Sequence, residues 1–279
     1  MPDRLTTDII DAELAPGALN AIRVCLRLQP SERITIITDE ATAEIAAALQ
    51  AEVEEVGAAH AVFVLENYTE RPLTRMPKII LDDLAQSQVS IFAARTLTGE
   101  LGSRIEMTAV VNKNHIRHGH MVNINQQIMV EGMRADFIAV DALSQRLVER
   151  ARKTERIRCQ TPHGTEFEAE FSPKLKWLKT SGLITPEKWG NLPGGEIFTS
   201  PKNCNGTFVI DGVVGDYLCA KYGDLAAAPL TVEVENSPSD QCDRRTKSCS
   251  RNFVATPAPM RIATEWANLP LAQTPLAPM

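Results

Sequence analysis

Short apolar runs alternate with longer amphipathic stretches through the first half of the chain. Residues 33–38, 61–65 and 88–93 are short runs rich in apolar and β-branched side chains, which predicts three strands. Residues 40–56, and a stretch that opens at Pro77, place their apolar positions at helical spacing. Because strands and helices alternate, we predict a mostly parallel sheet with helices on both faces, a three-layer α/β unit.

The predicted helices carry recognisable end signals. Asp39 stands where it can cap the helix after the first strand, and Gly57 stands where a left-handed residue ends it. Residues 14–29 and 140–153 also have helical spacing, and residues 117–122 predict a further strand.

The periodicity changes near residue 155. Polar and apolar positions then mostly alternate, which predicts a β-rich region with strands at residues 155–159, 166–171, 206–210 and 230–234. We therefore predict an α/β domain over residues 1–154, followed by a β-rich α+β domain that begins at 155 and is incomplete after 236.

Size and charge limit the classes of partner. The chain has 279 residues, which suggests two domains, and its net charge of −6 argues against a nucleic-acid partner. It has no polybasic segment, no apolar run of membrane-spanning length and no signal-peptide pattern at its start. We expect a cytoplasmic protein that binds neither nucleic acid nor membrane.

The cysteines do not form a recognisable motif. Without a secretion signal or a C-x-x-C pair, we expect reduced and mostly buried thiols at Cys25, Cys159, Cys204, Cys219, Cys242 and Cys249. Asn205 begins an N-glycosylation sequon, which has no functional meaning in a cytosolic protein.

A nucleotide-binding function is disfavoured. None of the predicted parallel strands is followed by a glycine-rich phosphate loop. The first strand leads instead into Asp39 and Glu40, an acidic turn that would repel phosphate.

Glu196 is the strongest candidate for a functional residue. Pro193 stiffens the approach to it, and Gly194 and Gly195 allow positive φ and close backbone contact. Glu196 then opens a predicted strand, where its carboxylate could bind a divalent cation. A surface glutamate after a turn is the competing interpretation, and the residues alone favour it.

Two stretches of the chain resemble a known family. Residues 118–136 and 177–212 resemble the aminopeptidase T family, often labelled leucyl aminopeptidase, and the most specific part of the likeness is residues 191–201 (Asn-Leu-Pro-Gly-Gly-Glu-Ile-Phe-Thr-Ser-Pro). The likeness covers about residues 5–236. It implies a cytosolic, usually dimeric enzyme that uses two adjacent divalent metals, such as zinc, cobalt or magnesium, to remove N-terminal residues from peptides. Carried onto this sequence, it makes Glu196 a metal ligand and peptides the substrates.

The tail departs from that family. Its other ligands, which include a Glu in a Gly-Glu-Phe-Ala-Ile-Gly segment, have no counterpart over residues 237–279. A shift of one base across residues 259–274 allows codons for a string that contains Gly-Glu-Phe-Ala-Ile-Gly. We therefore infer a frameshift near residues 236–238 and expect a disordered, out-of-frame tail.

Three functions remain open at this point. The first is a metallo-aminopeptidase that is active only when the frame is restored, with the chain as written inactive. The second is a non-catalytic remnant that dimerises or binds peptides weakly. The third is an iron-dependent dihydroxypyridine-type ring-cleaving dioxygenase, a class that shares ancestry with the aminopeptidase family.

Other chemistry-bearing residues have a structural interpretation. His118 and His120 would face one way on a strand, with His115 nearby, and a structural pair is favoured over metal ligation. Trp177 and Trp189 are expected to fill the core or a domain interface. A solvated strand edge, rather than a binding patch, is expected for Lys174, Lys176 and Lys179.

Overall fold

The chain divides into two units. The computed structural model describes residues 3, 5, 10–214, 219, 221–235 and 253–256. The first unit comprises Met1–Val148 and Leu178–Ile197, and the second comprises Glu149–Trp177 and Phe198–Met279.

A five-stranded parallel sheet forms the centre of the first unit. Its strands are β1 (Arg33–Thr38), β2 (Ala59–Val64), β3 (Val89–Ala94), β4 (Arg117–Val122) and β8 (Gly190–Asn191). They lie in the order β2-β1-β3-β4-β8, and each neighbouring pair is parallel. The predicted parallel-sheet α/β core is confirmed.

Helices cover both faces of this sheet. They are α1 (Ala15–Leu19), α2 (Ala43–Val56), α3 (Lys78–Leu84), α4 (Leu101–Lys113), α5 (Gln126–Val130) and α6 (Phe137–Ala151). Shorter turns are the 3-10 segments Ala12–Leu14, Glu40–Thr42, Leu65–Asn67 and Gly132–Arg134, and the π-helix Asn20–Cys25. Ile36 packs with Leu49 in one buried cluster, and its neighbour Ile37 packs with Ile80 in another. Since neighbouring residues of a strand point to opposite faces, the sheet is the middle of three layers.

The end signals of α2 lie where the sequence predicts them. The Asp39 carboxylate accepts a hydrogen bond of 2.9 Å from the backbone N–H of Thr42, in the 3-10 turn that leads into the helix. Gly57 ends α2 with a left-handed φ of 79°. Pro77 differs from the prediction, because it is the residue before α3 and not the first helical residue.

Helix α4 was not predicted. Leu101 and Ile105 are 53% and 45% exposed, whereas Met107 and Val111 are buried. Its apolar residues therefore lie on more than one side of the helix, and the sequence lacks the single apolar stripe that marks an amphipathic helix.

The second unit contains the predicted β-rich region. Its antiparallel sheet has the order β12-β11-β10-β6-β5. The strands are β5 (Arg156–Gln160), β6 (Glu166–Glu170), β10 (Asn203–Ile210), β11 (Leu230–Val234) and β12 (Phe253–Thr256). Two short strands outside this sheet, β7 (Leu178–Thr180) and β9 (Glu196–Phe198), pair with each other, and all their residues except Phe198 belong to the first unit.

Two segments differ from the predicted organisation. Residues 178–197 group with the first unit, although the sequence assigns them to the second domain, because β8 extends the parallel sheet by pairing Gly190 with Gly119 of β4. Within the tail predicted to be disordered, Phe253–Thr256 form a strand against β11. The other residues of 237–279 lie outside the described part of the chain, as does the prediction made for them.

None of the helices in the described residues is long and apolar enough to cross a membrane.

Candidate functional site

The loop before Glu196 is built on the edge of the parallel sheet. After β8, the backbone N–H of Leu192 donates a hydrogen bond of 3.0 Å to the carbonyl of His120 in β4. Leu192 is buried, and Pro193 packs against Gly132, where an added Cβ would lie 3.0 Å from the proline Cγ. These contacts fix the chain just before it reaches Glu196.

Two glycines let this loop approach its neighbour closely. A Cβ on Gly194 would lie 2.8 Å from the backbone nitrogen of Gly182, so a larger residue does not fit. Gly182 has a φ of 84°, and its Cβ would lie 2.4 Å from the ring of Phe137. The predicted close approach is therefore present at Gly194, but the positive φ belongs to Gly182 and not to Gly194 or Gly195.

Glu196 stands at the first position of β9, as predicted. It is exposed, and its Oε1 accepts a hydrogen bond of 3.1 Å from the Thr180 hydroxyl, at the end of β7. Within the part of the chain that the structure describes, no group of three His, Cys, Asp or Glu side chains could hold a metal ion. The described residues therefore do not form a two-metal site by themselves. Ligation by Glu196 stays a prediction.

A cleft of about 370 Å³ lies beside this carboxylate. Thr180 connects the two, because it lines the cleft and also donates to Glu196. The chemically distinctive lining residues are Arg27, Asp141, Lys179, Ser181, Lys188 and Trp189. All belong to the first unit.

Asp141 organises one wall of the cleft. Its Oδ1 accepts a hydrogen bond of 2.6 Å from Lys179 Nζ and another from the Ser181 hydroxyl. Burial alone would raise the pKa of Asp141, but these hydrogen bonds and the charges of Lys179 and Arg27 lower it overall. Asp141 is therefore ionised at neutral pH. Lys179 is half-buried in this ion pair, so the prediction of a solvated strand edge is wrong for it.

The predicted histidine pair makes contacts with neighbouring side chains that are typical of a structural role. His118 Nε2 lies 3.1 Å from His120 Nδ1, and His118 Nδ1 lies 2.8 Å from the Ser90 hydroxyl. The His120 ring stacks on Phe92, with ring centroids 5.3 Å apart, and lies at the same centroid distance from Trp189. Burial lowers the pKa of both histidines, and that of His120 falls to about 4. Both rings are neutral at pH 7.

A buried charge cluster at the carboxyl ends of the strands was missed from the sequence. In the sheet, β2 lies on one side of β1 and β3 lies on the other. The strand order therefore reverses between β1 and β3. There the Arg71 guanidinium contacts Asp39 and Glu100 at 2.6 Å each and Glu66 at 3.2 Å. Open parallel sheets often bind ligands at such a reversal. In this chain the guanidinium of Arg71 lies among these three carboxylates.

The predictions for the cysteines and the tryptophans are confirmed only in part. Of the four described cysteines, Cys25 is buried while Cys159, Cys204 and Cys219 are half-buried, so the prediction of mostly buried thiols is wrong for those three. Trp189 packs against the core cluster around Ile37, as expected of a core filler. The other predicted core filler, Trp177, lies against Phe171 in the second unit, with centroids 5.3 Å apart.

Comparisons with known proteins identify the fold. The chain matches no protein-family profile and no curated protein sequence. Among solved structures it is similar to 2,5-dihydroxypyridine dioxygenase from Pseudomonas putida KT2440, with a TM-score of 0.56 and 14% identity over 84% of this chain and 67% of that one. It is also similar to wild-type AmpT, an aminopeptidase T, from Thermus thermophilus. That match has a TM-score of 0.52 and 15% identity, over 80% of this chain and 69% of the neighbour.

At these identities the likeness shows a shared fold. It supports the fold that the aminopeptidase resemblance implies, and the dioxygenase neighbour shares that fold. The assignment of an activity to this chain therefore depends on its own residues.

Proposed function

We propose that this chain carries the fold and one metal-ligand position of a metal-dependent aminopeptidase, a hydrolase that removes N-terminal residues from peptides. The observation that carries the proposal is the setting of Glu196. Its exposed carboxylate opens β9, accepts a hydrogen bond from Thr180 and lies beside a cleft of about 370 Å³. The similarity to AmpT supports this assignment at the level of fold.

A two-metal hydrolase needs several carboxylate and imidazole ligands, which hold ions that acidify a water molecule and polarise the scissile carbonyl. Glu196 would be one of these ligands. The sequence of residues 237–279 lacks the pattern of the others, and a one-base shift across residues 259–274 allows codons for one of them, the Glu of a Gly-Glu-Phe-Ala-Ile-Gly segment. The proposal therefore includes a frameshift near residues 236–238 and an inactive chain as written.

Several properties belong to the same proposal. Peptides are the proposed substrates, zinc, cobalt or magnesium the proposed metals, a homodimer the proposed assembly and the cytoplasm the proposed location. Size-exclusion chromatography with light scattering tests the dimer directly, because a monomer at micromolar concentration would contradict it.

The experiment that tests the activity is release of the first amino acid from a peptide amide. The chain as written and a frame-restored chain are each assayed without metal and with cobalt, zinc or magnesium. Metal-dependent release by the restored chain alone supports the proposal. Release by the chain as written, or an intact DNA reading frame across residues 236–238, contradicts the frameshift.

A ring-cleaving dioxygenase is the second candidate. The observation that favours it is the similarity to 2,5-dihydroxypyridine dioxygenase, whose TM-score of 0.56 exceeds the 0.52 found for AmpT. Oxygen uptake by the frame-restored chain with ferrous iron and 2,5-dihydroxypyridine tests it. Uptake without any peptide hydrolysis would replace the aminopeptidase proposal with this one.

A further inference from the structure

We infer that Asp141 and Thr180 are positioning residues that fix the carboxylate of Glu196, with helix α6 as their support. Three residues near the start of α6 contact the segments around Glu196, and they are Phe137, Val140 and Asp141. Their spacing of three and four residues places them on one face of the helix. The positioning stands on these contacts alone, whereas its role toward a metal rests on the proposed function.

Asp141 holds strand β7 against α6. Its Oδ1 accepts a hydrogen bond of 2.6 Å from Lys179 Nζ and another from the Ser181 hydroxyl. Lys179 and Ser181 are two residues apart, so their side chains lie on the same side of an extended chain. Ser181 is buried, and the side chains of the Lys179–Asp141 ion pair are 28% and 27% exposed. The end of β7 is therefore fixed to the helix by two adjacent contacts.

Thr180 lies between these two residues, and its side chain points the other way. Neighbouring residues of a strand alternate between its two sides, so the Thr180 hydroxyl reaches β9, the partner strand of β7. There it donates a hydrogen bond of 3.1 Å to Oε1 of Glu196. Because a carboxylate has two oxygens, Oε2 can bind a cation while Oε1 is held by Thr180.

The loop before Glu196 lies on the same helix. A Cβ on Gly195 would lie 3.5 Å from Cγ1 of Val140, which is ordinary packing contact. A Cβ on Gly194 would lie 2.8 Å from the backbone nitrogen of Gly182, so the loop also lies against the segment that follows β7. The backbone before Glu196 and the carboxylate of Glu196 are thus both fixed through α6.

The χ1 rotamer of Glu196 in the protein as written tests the positioning without a metal. Three-bond NMR couplings across its Cα–Cβ bond give the rotamer populations. We expect one dominant rotamer in the wild type and in Thr180→Ser, which keeps the hydroxyl. Averaged couplings are expected in Thr180→Val, which removes the hydroxyl, and in Asp141→Asn, which loosens β7. Thr185→Val is the matched control, because Thr185 also hydrogen-bonds an exposed glutamate, Glu187, and it should keep the wild-type couplings at Glu196.

Cobalt titration of the frame-restored protein tests the role toward a metal. The visible absorption of bound cobalt reports both its affinity and its coordination geometry. Glu196→Ala should weaken cobalt binding most. Thr180→Val should weaken it roughly tenfold, the lower end of the effect of losing a group that hydrogen-bonds a metal ligand. Thr180→Ser and Thr185→Val should retain the wild-type affinity and spectrum.

Two coupling results overturn the inference: wild-type couplings in both Thr180→Val and Asp141→Asn, or equal averaging in Thr180→Ser and Thr180→Val. Weaker cobalt binding in Glu196→Ala together with wild-type binding in Thr180→Val would leave the proposed function standing and overturn the positioning role. An unchanged affinity in Glu196→Ala would contradict the proposed function, and the couplings then decide the positioning. If Asp141→Asn loses the dispersed spectrum of a folded protein, the Thr180 variants decide, because valine has the shape of threonine.

Discussion

Arg71 Nη1 lies 2.6 Å from Asp39 Oδ2, and the two side chains are 7% and 0% exposed. The Arg71 Nη2 atom lies 2.6 Å from Glu100, whose side chain is 4% exposed. One guanidinium therefore compensates two buried carboxylates where β1 and β3 end, and it does so from a loop outside both strands.

Arg71→Met should strongly destabilise the first unit. The substitution leaves Asp39 and Glu100 buried without their cation, and loss of one partner of a buried ion pair costs about 3–5 kcal/mol. Urea unfolding monitored by circular dichroism measures the loss. Arg75→Met is the control, because Arg75 pairs with Glu106 while 84% exposed and should change the unfolding midpoint little. Equal midpoints for the two variants would show that the buried cluster contributes nothing.

The buried histidine pair should make the fold sensitive to acid. The pKa of His120 falls to about 4 because burial, and then the charge of Arg104, disfavours its protonated form, while the unfolded chain titrates near 6.5. Between pH 4 and pH 6.5 the unfolded state thus binds more protons than the folded state. The free energy of unfolding therefore keeps its full value above pH 6.5 and decreases towards pH 4. The loss at pH 5 should be about 2 kcal/mol from His120 alone.

Urea midpoints at pH 7.5 and pH 5 measure this loss. His120→Gln removes one titrating ring and should reduce the difference between the two midpoints. An unchanged difference in His120→Gln would assign the acid sensitivity to other groups.

Gly182→Ala should cost more stability than Gly57→Ala. Both glycines have left-handed φ, of 84° and 79°, so alanine is strained at each by about 1–2 kcal/mol. At Gly57 the added Cβ meets nothing within 4 Å, whereas at Gly182 it lies 2.4 Å from the Phe137 ring. Overpacking should add about 1–3 kcal/mol at Gly182. Thermal or urea unfolding compares the pair, and equal losses would mean that Phe137 moves aside freely.

Cys25 should be inert in the folded protein. Burial raises the pKa of this thiol to about 12, so almost no reactive thiolate is present at pH 8. Iodoacetamide labelling followed by peptide mass spectrometry should leave Cys25 unmodified in the native state and modify it in urea. Cys159, which is half-buried, is the internal comparison. Native labelling of Cys25 at the rate of Cys159 would contradict the packing described for it.

The sheet could be predicted from the sequence because its strands are buried on both faces. Ile34, Ile36 and Ile37 give β1 a continuous apolar run, and Asp39 and Gly57 mark the ends of the helix that follows. These signals are local. Helix α4 has no such signal, since exposed and buried apolar residues are mixed along it.

The candidate site could be predicted only in part. The position of Glu196 at the start of a strand follows from the loop before it, but the assignment of that loop to the first unit depends on two residues of β8 that pair with β4. The Arg71 cluster and the cleft depend on contacts between side chains far apart in sequence, such as the 2.6 Å bond between Lys179 and Asp141. Periodicity and spacing carry no information about such contacts.

Metal-dependent release of an N-terminal amino acid, compared between the frame-restored protein and its Glu196→Ala variant, tests the role of Glu196 most directly. Glu187→Ala is the matched control, because Glu187 is also an exposed glutamate of the first unit. We expect release that depends on cobalt, zinc or magnesium in the restored protein and in Glu187→Ala, and none above background in Glu196→Ala. Full activity of Glu196→Ala in the restored protein would contradict the proposal that this carboxylate binds the catalytic metal.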